Sequence, residues 1–129
     1  MRNLFISLIL IVVFLFPSLA NSQNWNKVDK IKQAIENYQW ADALSLLRQD
    51  SIELNSSEKG GAVFNALRGS IHLNQDQIAD AAACLDKSIS FFRNNSPQAG
   101  ETINMVEEKT RLQAYVDWAD AYSEIDADQ

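Results

Sequence analysis

After an almost unbroken apolar opening from Leu4 to Phe16, no stretch of the chain alternates convincingly with period two. Apolar residues instead recur at three- and four-residue steps, the spacing that gathers side chains on one face of an α-helix. Val28, Ile31, Ile35 and Tyr38 predict a first helix over about 25–37, followed by the short connection Asn37-Tyr38-Gln39. A second carries Trp40, Ala43, Leu44, Leu47 and Leu54, its end blurred by QDSIELNSSEKGG. Asn55 and Ser57 offer N-cap chemistry for a third helix, which holds Val63, Ala66, Leu67, Ser70, Ile71 and Leu73. NQDQ at 74–77 is the next turn, with Asp76 expected to cap a fourth helix carrying Ile78, Ala81, Ala82, Leu85, Ile89 and Phe92. RNNSP stops that helix, and Ser96-Pro97 is expected to start a long fifth one as cap and first-turn proline. Leu112, Tyr115, Ala119, Tyr122 and Ile125 form its apolar stripe. The pattern predicts an all-α fold: four helices in two short-turn pairs, packed as antiparallel hairpins, and a long C-terminal closing helix.

One phrase recurs within that pattern. Ala-Asp-Ala follows a bulky residue at Trp40, Ile78 and Trp118. Aligning Ala43 with Ala81 matches Trp40 to Ile78, Asp42 to Asp80 and Leu47 to Leu85, a step of 38 residues. Self-similarity at a fixed period points to stacked helical units, each leaving an apolar face that a neighbour covers. The small alanines suit close helix crossings, with the bulky residues filling the space between units. The third copy differs, because RLQAYVDWADAYSEI has no Gly, Pro or Asn to make a turn before it. It is expected to lie inside the closing helix, with Trp118 and Tyr122 covering the last core face.

The segment NALRGSIHLNQDQIADAAACLDKSI resembles the tetratricopeptide repeat (TPR), a helix–turn–helix unit of about 34 residues. Leu67 takes the Leu position of the first helix and Ile71 the Tyr position; Ile78 precedes the small Ala81, and LDKSI matches the unit's ending. Gly69 falls two places after Leu67 instead of one, and Lys30-Ile31 stands where Leu-Gly would fall in the first copy. The resemblance implies a TPR-like domain over 23–129, two units forming a fragment of an α-solenoid. It further implies a groove lined by the first helix of each unit, holding a protein or peptide. Lys30, Asn65, Arg68 and His72 are the polar residues expected to meet that partner. Asn65 and Arg68 have hydrogen-bonding groups suited to a peptide backbone or carboxylate. The family's carboxylate-clamp pattern is not matched.

The opening segment reads differently. Arg2, the apolar run, Pro17 and the small residues of SLANSQ follow the layout of a secretory signal peptide over 1–22, with cleavage near Ala20 or Ser22. The run is shorter than the roughly 20 residues that cross a bilayer. The expectation is therefore export to a periplasmic or extracellular location, with membrane association only if the segment is retained. Its removal takes away Arg2 and no acid, making the net charge of −6 one unit more negative. Such a balance disfavours nucleic acid and anionic lipid as partners.

Candidate chemistry is sparse. His72 is the sole histidine and Cys84 the sole cysteine, so no metal-ligand set arises and no cofactor or catalytic group is expected. Cys84 reads as a small buried hydrophobe, the other reading being a disulfide to a second chain. Asp117, Asp120, Glu124, Asp126 and Asp128 read as a solvated acidic face. Two functions follow as expectations: a non-catalytic adaptor or scaffold of the TPR type, or a structural helical subunit of a larger envelope or secretion assembly, tethered by an uncleaved N-terminus. Self-association through the Tyr115 or Trp118 faces is an accompanying expectation.

Overall fold

The structure is a computed structural model that describes residues 24–127; the expected signal segment lies outside the described residues. Six helices account for the order: α1 (Trp25–Glu36), α2 (Trp40–Gln49), α3 (Ser51–Leu54), α4 (Glu58–Asn74), α5 (Ile78–Asn94) and α6 (Met105–Ala127). No described helix is long and apolar enough to cross a membrane.

The two short turns share one geometry. At the end of α1 the Gln39 amide donates to Ala34 O at 2.9 Å and the Tyr38 amide to Ile35 O at 3.1 Å. At the end of α4 the Gln77 amide donates to His72 O at 2.8 Å and the Asp76 amide to Leu73 O at 3.2 Å. This paired pattern closes a helix by placing one residue in the left-handed region. Here those residues are Tyr38 at φ 58° and Asp76 at φ 63°. Asp76 thus ends α4 instead of capping α5, whose start at Gln77 has no side-chain cap.

Three further boundaries depart from the pattern. The helix expected from Trp40 to Leu54 breaks at Asp50, and α3 is a single turn that buries Leu54. Lys27 holds this break, bonding Glu53 at 2.8 Å and lying 3.9 Å from Asp50. Asn55 does not cap α4; its side-chain Nδ2 donates back to Ser51 O at 2.8 Å, and Ser57 Oγ accepts from the Gly60 amide at 3.0 Å. The closing helix starts at Met105, not at Ser96-Pro97. The Ser96 hydroxyl points back to the α5 carbonyls of Phe92 and Arg93, and the left-handed Gly100 sits in a turn between Gln98 and Glu101. Asn104 supplies the cap, its Oδ1 accepting from the Val106 amide at 2.8 Å.

α4 is the hub and touches each of the other five helices. Its most extensive packing is on α5, and Gly69 is the reason. A Cβ there would stand 2.6 Å from Leu85 Cγ and 3.4 Å from Ala81 O. The two helices therefore approach where a hydrogen faces Leu85. Val28, Ile31, Val63, Ile71 and Leu85 are among the largest fully buried side chains; each such aliphatic contributes about 1.5–3 kcal/mol by leaving water. The last alanine of every Ala-Asp-Ala phrase, Ala43, Ala81 and Ala121, has no exposed surface. The third phrase lies inside α6, yet its final alanine is buried as completely as the other two. The rest of the α6 stripe is shifted from expectation. Thr110, Ala114, Asp117 and Ala121 face inward, whereas Leu112, Ala119 and Tyr122 are exposed and Tyr115 and Ile125 half-buried.

Candidate functional site: the groove between α1, α4 and α6

α1 and α6 flank one face of α4, and the space between them is a groove of about 590 Å³. Ala66, Leu67 and Ala114 supply small apolar surface. The contribution of α1 and α4 repeats with the sequence period. Lys32, Ile35 and Glu36 line the groove from α1; Ser70, Leu73 and Asn74 line it from α4, each 38 positions later. Helical steps of three and four place these positions on one face, so one unit's groove surface reappears in the next.

α6 adds Asp117, Asp120 and Glu124, and with Glu36 they outnumber the single cation Lys32. Several polar groups are already engaged with their own helices. Asn74 Nδ2 donates to Ser70 O at 2.7 Å and Thr110 Oγ1 to Val106 O at 2.7 Å. Lys32, Asp120, Ser123 and Glu124 form no ion pair or side-chain hydrogen bond among the described residues.

Asp117 stands apart from the other acids. It is 5% exposed, and Gln113 Nε2 donates to its Oδ1 at 2.9 Å. Oδ2 is closed off from solvent without a hydrogen-bond partner. Burial pushes its carboxyl above the ordinary value; Gln113, the nearby Ser70 hydroxyl and the Lys32 charge oppose this, while Asp120 adds to it. Lys32 mirrors it. Burial lowers its ammonium pKa, and Glu36, Asp117 and Asp29 resist that. The sequence reading placed Asp117 on a solvated face; its four-, three- and four-residue register with Thr110, Ala114 and Ala121 is the signal that locates it inside.

The four residues expected to meet a partner lie elsewhere. Lys30 is exposed on α1 and borders a shallow cleft with Gln33, Asn37 and Asp42. Asn65 donates to Gly61 O at 2.9 Å and lies by a depression between α4 and α5. Arg68 is exposed. His72 Nδ1 bonds Gln77 Oε1 across the turn. None of the four lines the groove, although α1 and α4 both do.

On the other side of α6 a polar bracket ties it to α5. The Asp86 carboxylate accepts from Trp118 Nε1 at 3.0 Å and from the Tyr122 hydroxyl at 2.8 Å, and the Arg93 guanidinium lies 5.7 Å from the Trp118 ring centre. The bond to Asp86 raises the Tyr122 phenol pKa. Cys84 is half-buried and burial pushes its thiol pKa up. Among the described residues no group of three or more His, Cys, Asp or Glu side chains is placed to hold a metal ion. No family model, no curated protein and no solved structure matches the chain.

Proposed function

We propose that the chain is an exported, non-catalytic binding module in which two TPR-like hairpins, α1–α2 and α4–α5, and the closing helix α6 form a short α-solenoid. Its groove holds an extended or helical segment of a protein partner carrying lysine or arginine. The observation that carries this reading is the groove lining, in which the same positions of both units, 32/70, 35/73 and 36/74, meet an acidic α6 wall. Acidic side chains over a small apolar floor attract cations and leave room for the aliphatic stems of Lys and Arg. The identical turns at Tyr38 and Asp76 support the repeat. Export rests on the signal layout of residues 1–22, and mass spectrometry of the mature N-terminus tests it.

The binding test is a fluorescence titration of the purified chain with matched Lys/Arg-rich and Asp/Glu-rich peptides. The cationic peptides are expected to bind and the acidic ones not. Asp120→Lys/Glu124→Lys is expected to weaken the complex about tenfold by placing like charges against it. Asn65→Ala/Arg68→Ala, away from the groove, is expected to leave it unchanged. Cationic peptides that fail to bind, or that bind the charge-reversed variant equally, overturn the reading. The second reading, a structural subunit of a larger envelope or secretion assembly, is favoured by one observation: Met105, Leu112 and Val116 are exposed on the outer side of α6.

A further inference from the structure

α6 is apolar on two sides. Its inner side packs on α1, α4 and α5 through Ala114 and Ala121. Its outer side carries Met105, Lys109, Leu112, Val116, Ala119, Ser123 and Asp126, spaced alternately by four and three. That is the seam along which two helices pair. Met105 is 71% exposed, Leu112 50% and Val116 54%, and no other described helix lies over them. An element that ends a helical stack normally turns a polar face to water, whereas Met105, Leu112, Val116 and Ala119 break the polar surface here.

We propose that this seam is the interface of a homodimer, with the α6 helices of two copies pairing antiparallel. The charge order along the seam selects both the partner and its direction. The cation Lys109 stands toward the start of α6, and the acids Asp120 and Asp126 stand toward its end. Neither Lys109 nor these acids form an ion pair among the described residues. A parallel pair sets lysine beside lysine and acid beside acid. An antiparallel pair with Leu112 and Val116 meeting at the centre sets each Lys109 level with Ala119 and Asp120 of the other copy. The face is then complementary to itself, as a two-fold interface requires. α6 is about 34 Å long at the helical rise. One seam of that length lies at the small end of interface sizes, so the dimer is weak, on the order of micromolar or weaker. Asp120 and Ser123 also line the groove, so the dimer borders the peptide site toward the C-terminal end of α6.

Sedimentation of the full chain over a concentration series tests this. The wild type is expected to associate reversibly. Leu112→Glu/Val116→Glu and Leu112→Lys/Val116→Lys are each expected to weaken association at least about tenfold. An equal mixture of the two is expected to restore it, because only a face that meets itself brings the opposite charges together. Circular dichroism checks that both variants keep wild-type helicity, as substitution at half-exposed positions should allow. Lys109→Glu is expected to weaken the dimer several-fold more than Lys87→Glu, an equal charge change on α5. A wild-type monomer at millimolar concentration overturns the proposal. So does association that the double variants leave intact, or a mixture that stays monomeric. Equal effects of Lys109→Glu and Lys87→Glu overturn the antiparallel direction. A different protein that shields Leu112 and Val116 of a monomeric chain assigns the face elsewhere.

Discussion

The pair α1–α2 and the pair α4–α5 begin from one template and end with different packing. Both turn through the same left-handed closure, at Tyr38 and at Asp76. Both bury the alanine and leucine of the repeated phrase, Ala43 with Leu47 and Ala81 with Leu85. They part where the helices cross. α4 has Gly69, and the position 38 residues earlier in α1 is Ile31. The glycine lets Leu85 and the α5 backbone come close, and α5 runs 17 residues along it, whereas α2 ends after 10. Ile31 is a large side chain with no exposed surface. One repeat period therefore carries a glycine at this position in one pair and a large buried side chain in the other.

Breaking each crossing by the opposite change tests that difference. Ile31→Ala removes a fully buried aliphatic and leaves a cavity, so an expected loss of about 3 kcal/mol should appear in urea unfolding. Gly69→Ala adds a methyl group where Leu85 cannot retreat into solvent. Overpacking of this kind costs about 1–3 kcal/mol, against a gain of up to about 1 kcal/mol in helix propensity. A net loss is expected, and it should shrink when Leu85→Ala is made in the same chain. A Gly69→Ala variant more stable than the wild type would show that propensity outweighs the close approach.

How much of this was legible depends on which interaction decides each feature. The period, the helices around Ile31, Leu67 and Leu85, and the burial of the repeated alanines follow from apolar spacing. Gly69 gives no sign in sequence of the close approach it allows, because the pattern carries no distance to Leu85. Tyr38 in the left-handed region had no signal at all, since glycine or asparagine is the usual residue there. Pro97 looked like a helix start, but the Ser96 hydroxyl goes to α5 and Asn104 does the capping. Apolar spacing locates the helices α1 and α4, but not the face of each that lines the groove. Asn65, Arg68 and His72 are polar and stand out, while the α4 groove positions are Ser70, Leu73 and Asn74. Asp117 is hidden among neighbouring acids, and only its register with Thr110, Ala114 and Ala121 marks it as inward-facing.

Asp117 also links the two units to α6, and its response to pH sharpens their comparison. Its folded pKa is raised above the ordinary 3.8, so the folded chain holds this proton more tightly than the unfolded one. The stability linked to this group is therefore greatest at low pH and falls as pH rises from about that value through the raised one. Asp117→Asn keeps an acceptor for Gln113 and removes the charge. It is expected to stabilise the fold at pH 7, because a buried neutral amide replaces a buried charge. The gain should close as pH falls below the ordinary carboxylate value, measured as the difference in Tm between variant and wild type. A gain that is the same at pH 3.5 and pH 7 would mean that side-chain shape, not charge, sets it.

The smallest expected effect concerns the feature the two units share most closely. If both turns are one structure, each should respond to glycine in the same direction, since glycine enters the left-handed region without the clash of a Cβ. Asp76→Gly has no side-chain hydrogen bond to lose and is expected to stabilise by about 0.5–1 kcal/mol. Tyr38→Gly gains the same backbone relief. It also loses the edge contact between Tyr38 and Trp40, whose ring centres are 5.7 Å apart. Tyr38 is 75% exposed, so that contact is worth only part of the roughly 0.5–1.5 kcal/mol of a good aromatic pair, and the net change should be near zero. Repeating Tyr38→Gly in a Trp40→Leu chain separates the two contributions. The backbone gain should then match that at Asp76, and a persistent deficit would show that the two turns are alike in hydrogen bonding but not in strain.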